Sequence, residues 1–322
     1  MNNFLFFKPS VRLAIALLGV VCLRAQGAEV RHRILAADYS AKRMAIVAAD
    51  GHIEWETSIR DIHDMHVLPN GNILCQLGWT RVVEISPDKE IVWSYDSSKN
   101  NGNAGKRVEV HAFQPLADGR IMIVESGPGR ILEIDREGKI HTEIALKRNS
   151  PSAHSDTRMA RKTAAGTYLV CQESDGAVRE YNASGEVIWD YPVPLFGKEP
   201  KPGHGPEAFG NSVFGAIRLD NGNTLIATGN GHSLIEVTPS KEIVWAIHQD
   251  DLPGIRLAWV TTVAQMPNGN IVFGNCHAGP DNPQIIEVTR DKKVVWTFKD
   301  FEHFGNALPV SLVMDVDGRV IR

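Results

Sequence analysis

Short apolar runs alternating with polar positions recur along the chain from Arg33 to its last residues. Between residues 260 and 298 four of them follow one another: "VTTVAQM", "NIVFGN", "QIIEVT" and "KVVWTF". Their two-residue alternation and their Val, Ile and Thr content predict four strands. The third run returns as "VVEIS", "ILEID", "VREYN" and "LIEVT", and the fourth as "HIEWET", "EIVWSY", "EVIWDY" and "EIVWAI". The elements therefore belong to a repeat, and the repeat is the unit to interpret.

Turn glycines set its period. Gly71, Gly119, Gly166, Gly222, Gly269 and Gly318 each follow Asn, Asp or Ala after a first strand, 47 to 56 residues apart. Asn-Gly and Asp-Gly between alternating runs are hairpin signals. Four strands per period of this length predict an all-β fold, a β-propeller of four-stranded antiparallel blades. The two ends are out of phase. "RILAADYS", "RMAIVAAD" and "HIEWET" supply three strands without a first one, and "VSLVMDVDGRVIR" supplies a first strand and a turn. Six blades result if the C-terminal first strand joins the three N-terminal strands, a closure that leaves no long unpaired edge. No composition break divides residues 28–322, which are expected to form a single domain.

Trp55, Trp93, Trp189, Trp245 and Trp296 share one slot of the fourth strand, and Thr142 occupies it in the remaining complete repeat. A large ring repeated once per unit is expected to face inward and fill the wedge between adjacent sheets. Glu84, Glu133, Glu180, Glu236 and Glu287 share a slot of the third strand. A residue present in unit after unit cannot mark one site, so these carboxylates are expected to bond between blades or to turns.

Composition adds a compartment. Lys8 and Arg12 precede the apolar stretch "LAIALLGVVCL", and Ala25 and Gly27 are small. Residues 1–27 are expected to be a secretory signal, and the protein periplasmic or secreted. Losing Lys8, Arg12 and Arg24 with that segment takes the formal net charge from −4 to −7. A mildly acidic surface has no electrostatic footprint for nucleic acid. No later stretch is long and apolar enough to span a bilayer. Cys75, Cys171 and Cys276, odd in number and far apart, do not read as a disulfide framework and are expected to be small buried hydrophobes.

The repeats "PNGNIL…VVEISPDKEIVWSY" and "PNGNIV…IIEVTRDKKVVWTF" resemble those of exported six-bladed members of the quinoprotein-like (PQQ-like) and YVTN/NHL propeller superfamily. The resemblance covers nearly all of the chain beyond the signal segment and implies the fold, not the ligand. PQQ dehydrogenases have eight blades and a vicinal cysteine pair. This chain has neither, so PQQ is not carried over and the cofactor stays unassigned.

Loop lengths choose a face. Turns after first and third strands are tight, whereas blade-to-blade connections such as "YPVPLFGKEPKPGHGPEAFGN" and second-to-third-strand loops such as "NCHAGPDNP" are irregular. Strand direction alternates, so the irregular sets share one rim, where binding is expected. Counting back eight residues from each turn glycine gives His63, His111, Arg158, Phe214, Thr261 and Val310 as a ring at the channel mouth. His63, His111, His154 and Arg158 are the candidate catalytic residues. Arg161, Trp79, Trp259, His204, His232 and His277 are the candidate ligand-binding residues. Such a cluster suits a polar or anionic small molecule or a glycan, with a protein on the same face as the other partner class.

Particular chemistries narrow this little. His63 and His66 of "HDMH" are three apart on a strand and point to opposite faces, so they cannot chelate together. No HExxH, CxxC or EF-hand spacing occurs, and no metal ligands are assigned. A divalent metal could assemble only from different blades, for example from His63, His111 and His154. There is no G-x-S-x-G elbow. The stretch "DIHDMHVLPNGNIL" is similar to His-Asp-plus-turn segments of bacterial arylsulfotransferases, which are exported six-bladed propellers. That resemblance implies a histidine nucleophile among His63, His111 and His154, with Arg158 or Arg161 holding sulfate oxygens. That family usually carries an additional N-terminal β-rich region, whereas the propeller here is expected to start almost at the mature N-terminus. A polysaccharide lyase or hydrolase would use a similar His/Arg pocket. The Pro- and Gly-rich segment 199–210 forms neither strand nor helix and is either a lid carrying His204 or a disordered insertion.

Overall fold

The computed structural model describes Met1 and residues 31–322, and the predicted signal segment lies outside those residues apart from Met1. Blade one begins with β1 (Ile34–Asp38), β2 (Arg43–Val47) and β3 (Ile53–Ser58). Blade two holds β4 (Met65–Val67), β5 (Ile73–Gln76), β6 (Arg81–Ile85) and β7 (Ile91–Asp96). Blade three holds β8 (Glu109–Pro115), β9 (Ile121–Ser126), β10 (Arg130–Ile134) and β11 (Ile140–Ala145). Blade four holds β12 (Ala160–Lys162), β13 (Tyr168–Gln172), β14 (Ala177–Tyr181) and β15 (Val187–Pro192). Blade five holds β16 (Gly215–Arg218), β17 (Thr224–Ala227), β18 (Leu234–Val237) and β19 (Ile243–Ile247). Blade six holds β20 (Trp259–Gln265), β21 (Ile271–Cys276), β22 (Ile285–Val288) and β23 (Val294–Phe298). The last strand, β24 (Val310–Val313), returns to blade one, where Ile34 pairs with Val313 and Ala37 with Val310. The result is the expected six four-stranded antiparallel sheets closed by the C-terminal strand.

Packing follows from each strand's place. The second strands β5, β9, β13, β17 and β21 are buried along their whole length, because a neighbouring blade covers each face. Outermost strands such as β3 and β11 alternate between half-buried and exposed. The first-strand turns are tight as predicted. Leu68 N–H donates to Asn72 O at 2.8 Å and Gly71 N–H to Leu68 O at 2.9 Å, with Gly71 at a φ of 83° that favours glycine.

The tryptophan slot fills the wedge between adjacent sheets, as expected. These rings sit on the outermost strands, half-buried, and lean across to the next blade. Trp55 Nε1 donates to Pro87 O at 2.8 Å, Trp93 to Arg136 O at 2.7 Å, Trp189 to Pro239 O at 3.1 Å and Trp245 to Arg290 O at 2.8 Å. Each acceptor lies in the neighbour's turn before its fourth strand. An indole has an apolar body and one N–H, so it can fill the seam and still satisfy its donor.

The repeated glutamates do the polar half of the same task. Glu84 pairs with Arg136, Glu133 with Lys162, Glu180 with Arg218 and Glu236 with Arg290, in each case a cation of the following blade. At the seam from blade six to blade one the partner is His32, 2.7 Å from Glu287. Blade one has Ile46 in the glutamate slot, opposite Trp55, and its seam has an apolar residue at that position. All three predicted structural cysteines are free and buried, and burial raises each thiol above its ordinary range, Cys75 to about 12.

Candidate functional site

On the loop-rich side, the channel opens into a cavity of about 270 Å³ lined by His63, His154, Arg158, His204 and His277. Trp79, Trp259, Phe214 and Tyr39 form its aromatic walls. Four of the six counted-back positions therefore line one space, namely His63, Arg158, Phe214 and Thr261. His111 stands directly behind. Its Nδ1 lies 2.8 Å from His63 Nδ1, and the two rings stack at 4.9 Å. Trp79 touches His63, His111 and His154 with ring centroids 5.1, 5.0 and 5.2 Å away.

Arg158 is the charged centre. Its side chain is 6% exposed, and its Nε lies 2.5 Å from Glu173 Oε2. Nη1 donates to the carbonyls of His154 and Thr157. Nη2 makes no hydrogen bond among the described residues. Burial lowers the guanidinium from its ordinary range against the pull of Glu173 and Glu109. Burial likewise raises Glu173, opposed by Arg158.

His63, His111 and His277 are neutral. Burial, then the charge of Arg158, holds His63 and His111 well below the usual histidine range. Burial, with His204 nearby, takes His277 down to about 4. His277 Nε2 meets the Tyr39 hydroxyl at 3.1 Å, and burial raises that phenol so that it stays protonated. A cavity so built offers one fixed cation and several neutral donors and acceptors.

The segment 199–210 is an ordered cover. Lys201 and Phe209 pair across it, Gln249 Nε2 donates to Pro206 O at 2.8 Å, and Arg256 meets Glu207 at 2.9 Å. His204 projects from it into the cavity, 4.6 Å from the Trp259 ring and 5.1 Å from His277. The disordered alternative is thereby set aside.

Two predicted site residues lie elsewhere. His232 is buried with Nδ1 on Ala258 O and Nε2 on Ala208 O, so it braces the cover from below. Arg161 is bound through both Nη atoms to Asp64, at 2.8 and 2.9 Å. It lines a second cavity of about 270 Å³ beside Val310 and Arg322. Val310, the last counted-back position, belongs there too. His66 also faces away from His63, with Nε2 on Phe113 O at 2.7 Å and Nδ1 accepting from Arg322 at 2.7 Å.

Residues the sequence did not flag complete the site. Tyr39 comes from the short β1–β2 connection, and Glu173 from the second-to-third-strand loop "ESDG" of blade four. Glu109, two residues before His111, holds His154 Nδ1 at 2.7 Å. Both Glu109 and His111 are on β8, whose pairing register shifts between Val110 and Ala112, and His111 Nε2 lies 3.2 Å from Glu109 Oε2.

The fold is a six-bladed propeller with an aromatic-walled cavity at its irregular face. Residues 40–298 match the model of the PQQ-like family described as outer membrane protein assembly factor BamB, and the chain belongs to that family. Among solved structures it is similar to a protein of unknown function from Bacteroides caccae, at 22% identity and a TM-score of 0.72, covering 88% of this chain and 98% of that one. It is also similar to a streptogramin B lyase, at 15% identity and a TM-score of 0.56 over 84% of this chain and 83% of that one. A catalytically inactive virginiamycin B lyase from Staphylococcus aureus with quinupristin gives 14% identity and a TM-score of 0.53 over 87% of each chain. No curated protein matches the sequence.

Proposed function

We propose that the loop-face cavity binds a small polar ligand carrying an anionic group, such as a sulfated or carboxylated molecule or an acidic sugar. The observation that carries this reading is Arg158, buried between aromatic walls, with Nη2 left for a ligand oxygen. Neutral imidazoles and the Tyr39 hydroxyl supply directional hydrogen bonds around it, and indoles suit a sugar or aryl face. The family description names an assembly factor, a role exercised on protein partners, and a protein on this face is the corresponding alternative. A cavity of about 270 Å³ favours the small molecule. Export to the periplasm or beyond belongs to the same reading and rests on residues 1–27.

A catalytic reading comes second. It is favoured by the convergence of His63, His154 and Arg158 on one space, which suits a lyase, a hydrolase or sulfuryl transfer. Two of the similar folds are named as lyases, at identities that speak for the fold alone.

Isothermal titration of a sulfated phenol, a uronate and a neutral oligosaccharide tests the binding reading against wild type and Arg158→Gln. At least one anionic compound should bind wild type and lose roughly tenfold or more in affinity in the variant, as expected for a lost charged hydrogen bond. Equal binding by both proteins, or none by wild type, overturns it.

A further inference from the structure

Behind the cavity wall, three side chains present metal-binding atoms to one point. Glu109, His111 and His154 each offer one ligand atom, all within 4.8 Å of one another. Glu109 Oε2 lies 3.2 Å from His111 Nε2 and 2.7 Å from His154 Nδ1. In a tetrahedral zinc site with metal–ligand bonds of about 2.0–2.1 Å, neighbouring ligand atoms stand roughly 3.3 Å apart. The two strand residues Glu109 and His111 are on rigid β8, and His154 comes from the blade three to blade four connection.

The hydrogen-bond pattern requires an explanation that protein atoms do not supply. His111 is fully buried, and its Nε2 has no hydrogen-bond partner. Its Nδ1 is engaged with His63 Nδ1. If His111 donates through Nδ1, its Nε2 is a buried bare lone pair beside a carboxylate oxygen, two acceptors facing each other. If the proton sits on Nε2 instead, a buried N–H stands beside a carboxylate in a geometry that makes no hydrogen bond. A cation beside Nε2 gives that atom its missing partner, Oε2 being already held by His154 Nδ1.

The surroundings match an outer shell. A metal-bound histidine normally donates its other ring N–H to a fixed acceptor, here His63. The second oxygen of Glu109 is held by Arg107 at 3.1 Å, which leaves Oε2 directed inward. Trp79 closes over both imidazoles.

We propose that Glu109 Oε2, His111 Nε2 and His154 Nδ1 form a binding site for one divalent transition-metal ion, zinc being the ion this ligand set suits. Two imidazoles and one carboxylate are a ligand set zinc accepts when a further position is left open. His111 and Glu109 are buried and His154 lines the cavity, so the open position faces the same space as Arg158. The ion would be held by protein groups alone, so this site stands whether or not the anionic-ligand reading does. Where both hold, the open position and Arg158 would grip the same anionic group from two sides.

The test uses the full mature protein, stripped with a chelator, exposed to excess Zn²⁺, passed through a desalting column and analysed for retained metal. One equivalent should remain on wild type and on His204→Ala, whose imidazole lies across the cavity. Glu109→Gln and His154→Ala should retain none, and His63→Ala should bind about 10–100-fold more weakly through loss of the outer-shell acceptor. His154 is 47% exposed on its side chain, so its variant keeps the fold and carries the test if Glu109→Gln unfolds. Loading with Co²⁺ should give the visible absorption of a low-coordinate site in wild type and none in His154→Ala. Wild type retaining no zinc, or His154→Ala retaining as much as wild type, overturns the site. Neither result touches anion binding at Arg158, which titration on the metal-free protein reads separately.

Discussion

His32 Nε2 and Glu287 Oε2 meet at 2.7 Å across the seam where the ring closes. Four other seams use Arg or Lys opposite the repeated glutamate, so closure alone depends on a group that titrates near neutrality. Burial lowers the imidazole, but Glu287 and Asp315 prevail and raise it above its ordinary value. A raised folded value means that the stabilisation is complete below the unfolded pKa of about 6.5 and is lost as pH rises through the folded one. His32→Gln should therefore cost about 1 kcal/mol, a modest figure because the pair is partly solvated. Thermal melts should show a drop of about 2–4 °C near pH 6 that shrinks by about pH 9. A deficit that is the same at both pH values would contradict this account.

Acid should weaken the fold by the opposite route. Burial is the chief reason His66 and His277 fall to about 4. Both are neutral in the folded protein over a range in which the unfolded chain takes up protons. Stability then falls as pH drops from about 6.5 to about 4, by at most ~1.4 kcal/mol per unit for each group. Melts in a His32→Gln background, which removes the opposing contribution, should show this slope. His66→Gln should flatten it, and an unchanged slope would be inconsistent with a buried neutral imidazole.

Asp64 and Arg161 form a buried two-point ion pair, and Asp64 also accepts the Phe113 N–H at 3.2 Å. Desolvation pushes the carboxyl up, but Arg161 and His66 outweigh it and hold it well below the usual range. Asp64→Asn strands the guanidinium and should cost about 3–5 kcal/mol, read by urea unfolding. Anion binding at Arg158 should survive in the folded fraction. A loss of binding without a loss of stability would move Arg161 back into the ligand site.

Strand β24 is the latch. Deleting residues 308–322 removes its four residue pairs with β1 and opens the edge of blade one. The unfolding transition should broaden and its denaturant slope fall, because blades next to the gap would open separately from the rest. A melt as sharp as that of the full chain would count against the closure.

Much of this architecture was legible in the residues, because a propeller writes its periodicity locally. The Asn-Gly turns, the Trp slot and the Glu slot each depend on a strand's own pattern, and the phase mismatch between the ends forced six blades and a latch. Counting back from turn glycines found His63, Arg158, Phe214 and Thr261 for the same reason: position along a first strand sets height in the channel. It failed at Val310, which lines the second cavity together with Arg161, a residue three positions and roughly 10 Å along the strand from Arg158 at about 3.3 Å per residue. It also failed where loops decide. His232 bends toward backbone carbonyls of the cover, Tyr39 reaches the site from a short turn, and Glu173 meets Arg158 through a loop of blade four. Repetition along the chain determines the wheel. Which side chains share its hub depends on distances between blades, and no local pattern records those.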